Sequence, residues 1–120
     1  MPKVLVICPN EIKKSFLKML KKCGVFKEDN EIQAINPHVP PDKVAEKRFL
    51  FGATRVIYVG VEARRLGDYQ AYMASRRRPD EKIIQCAVEC KEPGRKPPDA
   101  KEVILFNSAE KMTEYLRVAI

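Results

Sequence analysis

The chain has 120 residues, of which 45% are hydrophobic, and 23 basic against 16 acidic side chains give it a net charge of +7. That length suits one domain with a core of its own, without metal or disulfide support. It holds no apolar run near the roughly 20 residues that cross a bilayer. The short stretch after Met1-Pro2-Lys3 is too brief for a signal-peptide core, so the expected location is cytoplasmic, with no membrane partner.

The basic surplus sits mainly in residues 1–30, with seven basic and three acidic side chains. It favours encounters with polyanions and does not bear on the fold. Asn and Gln together number seven while charged residues reach 32%, a mix seen in thermophile proteins.

Lys3–Cys8 is a continuous apolar, β-branched run, the pattern of a strand buried on both faces. Pro9 stops it and Asn10 is placed to cap a helix. In that helix Ile12, Phe16, Met19, Leu20 and Cys23 fall on one face, and Gly24 ends it. Glu31–Ile35 reads as a second strand. A helix over Pro41–Phe51 follows, with proline in its first turn and Gly52 as its stop. Arg55–Val61 is a third strand. A third helix begins at Glu62 or Gly67 and runs to Arg77, with Leu66, Tyr69 and Met73 as its apolar stripe. Lys82–Cys90 is a fourth strand and Lys91–Asp99, with three prolines and a glycine, a loop. Glu102–Phe106 is a fifth strand. Ser108 caps a last helix, which turns Met112, Tyr115, Leu116 and Ala119 inward.

This order predicts a single α/β domain over residues 1–120, three-layered (α/β/α), Rossmann-like or flavodoxin-like, with about five mostly parallel strands. A parallel connection needs a dozen or more residues, usually helical. The proline-rich loop is shorter and cannot be a helix, which leaves the last strand open to an antiparallel course.

In open α/β sheets ligands bind beyond the carboxyl ends of the parallel strands. That rim is expected to gather Cys8-Pro9-Asn10, Asn36-Pro37-His38 and Glu62-Ala63-Arg64-Arg65. Free N–H groups at a helix start suit phosphate, and Arg64 and Arg65 add bidentate donors. The expected ligand-binding residues are therefore Asn10, Arg64, Arg65 and His38. Arg76-Arg77-Arg78 lies at the end of the third helix, where the dipole favours cations, away from that rim. A phosphate-contacting role there has no aromatic platform or nucleic-acid motif beside it.

Four cysteines and one histidine offer no structural zinc spacing, and no motif calls for a cofactor or a metal. Cys86 and Cys90 stand roughly 13 Å apart on a strand, beyond disulfide reach. Cys8 ends a strand at a helix start, where a thiol pKa can fall. The stretch Val4–Ser15 resembles the opening of low-molecular-weight tyrosine phosphatases, with Cys8, Lys14 and Ser15 at the positions of the nucleophile, the arginine and the serine. The resemblance implies a cysteine-dependent phosphotransfer enzyme using Cys8. Lysine replaces the arginine, Pro9 removes a phosphate-binding N–H, Glu11 opposes an anion, and the family's late Asp-Pro acid is absent.

No other catalytic constellation is present, so the sequence favours a non-catalytic module for a nucleotide or oligonucleotide. The alternatives are the Cys8 enzyme and a structural or homo-oligomeric protein, for instance a homodimer using an edge strand, an outer helix or the apolar C-terminus (Leu116, Val118, Ala119, Ile120).

Overall fold

The apolar runs become five short strands and the amphipathic stretches four helices in a computed structural model that describes residues 3–22, 31–89 and 103–119. In chain order they are β1 (Val4–Ile7), α1 (Asn10–Lys22), β2 (Ile32–Ile35), α2 (Pro41–Phe51), β3 (Arg55–Val59), α3 (Ala63–Ser75), β4 (Ile84–Val88), β5 (Val103–Phe106) and α4 (Ala109–Ala119). All pair in one sheet of order β2-β1-β3-β4-β5, and every pairing is parallel. That is the flavodoxin-like arrangement. No helix among the described residues is long and apolar enough to cross a membrane.

The antiparallel option for the last strand is overturned, because Gln85–Val88 pair in parallel with Val103–Phe106. The strands end and begin closer to the middle of their apolar runs than the sequence suggests, so 14 residues separate Val88 from Val103. That satisfies the length a parallel crossover demands.

Strand periodicity sorts the core into two layers. Leu5, Ile7, Val56, Tyr58 and Ala87 meet Val44 and Ala45 of α2 and Leu66, Tyr69 and Met73 of α3. Val4, Val6, Ile57, Val59, Cys86 and Val88 meet Phe16 and Leu20 of α1 and Met112 and Leu116 of α4. β1 is closed on both sides, each of its residues at 0% exposure, and each large apolar side chain so buried contributes roughly 1.5–3 kcal/mol.

Local sequence sets the helix ends. Asn10 is the first residue of α1 and not its cap, since the Pro9 carbonyl accepts the Ile12 N–H. Gly24 lies outside the described residues. At the end of α2, Gly52 takes φ 81°, in the left-handed region, and donates its N–H to the Arg48 carbonyl. A side chain there would be strained although space is open around it. Ser108 does cap α4, its Oγ accepting the Lys111 N–H at 3.3 Å.

Polar side chains buried among the described residues include Arg48 and the Tyr58–Gln85 pair. Arg48 is fully buried at the end of α2. Its Nη1 donates to the Ala53 carbonyl and to Glu81, and its Nη2 to the Arg76 carbonyl at 2.7 Å. One guanidinium thus joins the ends of α2 and α3 to the approach to β4. The Tyr58 hydroxyl donates to Gln85 Oε1 at 2.6 Å, and Gln85 Nε2 has no partner among the described residues. Removing one partner of such a pair costs more than removing both. Tyr58→Phe is expected to cost about 1–3 kcal/mol in urea unfolding, and Tyr58→Phe/Gln85→Leu to recover most of it. A double variant no more stable than the single one would refute that account.

A candidate ligand cleft at the switch point

Beyond the carboxyl ends of β1 and β3 the chain departs to opposite sides, toward β2 from one and toward β4 from the other. A crevice forms at such a switch. Here it is a cleft of about 250 Å³ that gathers Pro9 and Glu11, then Asn36, Pro37 and His38, then Gly60, Val61, Glu62 and Arg65. A wider and more open hollow of about 660 Å³ shares His38, Glu62 and Arg65 and reaches Asp68. The three rim segments therefore meet.

Each segment is shaped by its own residues. Gly60 takes φ 64°, in the left-handed region that glycine enters most readily, and turns the chain off β3. Asn36 Oδ1 accepts the His38 N–H at 2.9 Å, the side-chain turn that asparagine favours. The Pro37 carbonyl then accepts Arg65 Nη1 at 2.6 Å and the Tyr69 hydroxyl at 3.2 Å. Together these tie the β2–α2 loop to α3. Burial raises the pKa of Tyr69, with Arg65 drawing it partly back, so the phenol keeps the proton it donates.

The structure treats the expected site residues unequally. His38 and Arg65 line both hollows. Asn10 is exposed in the first turn of α1 but does not line the cleft. The side chain of Arg64 lies outside the described residues. Glu11, Gly60, Glu62 and Tyr69, not among the expected ligand residues, turn out to shape the site. Only Tyr69 gave no sequence signal, since it sits on the apolar stripe and only its hydroxyl reaches the loop. Arg76, Arg77 and Arg78 are exposed at the other end of α3.

Cys8 does not open into the cleft. It is 1% exposed and packs among the residues facing α1 and α4. Burial pushes its thiol up, and the charge of Lys13 only partly offsets this, the reverse of what activates a nucleophile. The residues between Cys8 and Lys14 are helical from Asn10 onward, so they do not form a loop wrapped around a phosphate. Cys86 is buried as well, its thiol pushed up to about 12 by burial. Cys23 and Cys90 lie outside the described residues. Among the described residues no three His, Cys, Asp or Glu side chains are grouped to hold a metal ion.

The fold is an open parallel α/β sheet with a cleft at the β1/β3 switch. The chain matches no known family, no curated protein and no solved structure.

Proposed function

We propose that this module binds, without chemistry, a small phosphate-bearing ligand of the nucleotide kind in the switch-point cleft. The observation that carries the reading is the convergence of three loops on one cleft, together with the starts of α1 and α3. Both helix starts present backbone N–H groups and partial positive charge to that rim, which favours an anion. Arg65 and His38 add donors from the side. Glu11 and Glu62 stand in the same lining. Carboxylates repel a polyanion but accept hydrogen bonds from hydroxyls, as acidic residues at such switch points do from a ribose. The mixed lining suits one phosphate on a sugar better than an oligonucleotide backbone. The volume, just under the roughly 300–1,000 Å³ of ligand pockets, also suits the sugar-phosphate part of a mononucleotide. Among the described residues that line the cleft there is no Ser, Thr, Cys or Lys.

Calorimetric titration with nucleoside monophosphates tests this. Saturable binding is expected, weakened roughly 10–100-fold by Arg65→Ala, the loss for one charged hydrogen bond. Tyr69→Phe, which removes one loop tie and no charge, should change it far less. Inorganic phosphate should bind more weakly than the nucleotide. Absence of binding by any nucleoside mono- or diphosphate would sink the reading.

A further inference from the structure

Opposite the cleft lies a second surface with a different character. Every strand is parallel, so each helix returns toward the amino-terminal end of the sheet. The last turns of α1 and α4 carry exposed basic residues, and Arg76, Arg77 and Arg78 directly follow α3. Helix dipoles account for a cation or two at each helix end. They do not account for the apolar side chains exposed among these cations. Leu50, in the last turn of α2, is 76% exposed, and Tyr72, in the last turn of α3, is 45% exposed. Phe49, beside Leu50 in α2 and half-buried, has the Arg78 guanidinium 4.5 Å from its ring centre. The two helix ends are pinned together by Arg48, which donates to the Arg76 carbonyl. Glu81 pairs with Arg48 and Arg78 at 2.9 and 3.7 Å. Asp80 is the exposed acid of that turn.

We propose that this end of the molecule binds single-stranded nucleic acid, with Arg76 and Arg77 on phosphates and Tyr72 and the Phe49–Arg78 pair as platforms for bases. Basic side chains tracking a backbone, interleaved with aromatic faces, are the parts from which strand-binding surfaces are made. The three arginines alone lacked that second part; α2 supplies it by folding beside α3. The helices present their ends at this surface, so none lies lengthwise to enter a duplex groove. For the same reason none lays an apolar face along a lipid surface. The site is separate from the cleft and stands or falls without it.

The test uses the full chain and a fluorescein-labelled oligouridylate of about 15 nucleotides, followed by anisotropy between about 50 and 200 mM salt. Binding is expected to prefer the single strand to a duplex of equal length. Arg76→Ala and Arg77→Ala should each flatten the log–log salt slope by about 0.7. Tyr72→Ala should weaken binding about tenfold with the slope unchanged. The proposal is overturned if the oligonucleotide does not bind at the lowest salt, or if Tyr72→Ala has no effect. It is equally overturned if phosphatidylserine vesicles, and not the oligonucleotide, are bound through Arg76 and Arg77.

Discussion

Arg48→Met is expected to lower the unfolding free energy by about 3–5 kcal/mol, the scale for breaking a buried pair by removing one partner. Methionine fills much of the space but leaves the Ala53 and Arg76 carbonyls without the donors that reach them now. It also leaves Glu81 with only the half-exposed Arg78 opposite. Against a total of roughly 5–15 kcal/mol this is severe, and calorimetry should show the midpoint falling by roughly 10–20 °C. A change below about 1 kcal/mol would mean that the three elements are not joined through this side chain. The contact also sets an acid limit. Burial pushes the Glu81 carboxyl up, but the Arg78 N–H, the Arg48 hydrogen bond and the charges of both arginines outweigh it, so its pKa ends below the usual value. The unfolded chain then takes up that proton first as pH falls. The stabilisation is complete above the unfolded pKa of about 4.3 and is lost as pH drops through the lower folded value. Glu81→Gln should flatten the stability profile in that acid range while lowering it near neutrality.

Ile57→Ala is expected to cost about 3–4 kcal/mol, and Ile104→Ala less than about 1 kcal/mol, in urea unfolding. The two residues occupy one row across the sheet, in which Val6 pairs with Ile57, Ile57 with Cys86, and Cys86 with Ile104. Both are isoleucines in strands of similar composition. Ile57 is fully buried at the centre, however, whereas Ile104 at the edge is 39% exposed. The cavity left at Ile57 cannot collapse between layers packed on both faces. Equal costs at the two sites would contradict the strand order.

Much of this architecture is legible from local pattern, because local pattern determines it. The unbroken Val4–Ile7 run marks a strand with no wet face, and that is how β1 sits. Pro41 and Gly52 bracket α2 as proline and glycine should. Ala63 settles the start of α3 between the two alternatives, the Glu62 carbonyl accepting the Arg65 and Leu66 N–H groups. Strand order and the direction of β5 are different in kind, since they depend on pairings between distant segments. The meeting of Pro9, Pro37 and Val61 needed only parallel strands; that Arg65 and Tyr69 clasp the Pro37 carbonyl needed coordinates. Arg48 carried a signal that hydropathy alone conceals. It falls four residues after Val44 and three after Ala45, on the buried stripe of α2, and a cation there requires acceptors waiting inside.

The absence of any hairpin from this sheet has a consequence for how the chain is born. Each neighbouring pair of described strands is distant in sequence, the central one setting Val4 against Arg55. No pair of the described strands can zip up as a local hairpin, and closing such long loops slows folding. As the polypeptide leaves the ribosome, β1 has no central partner until β3 has emerged, and its apolar residues must wait that long for cover. That interval of seconds, at roughly 5–20 residues added per second, more than the finished molecule, is when this sequence is most open to aggregation.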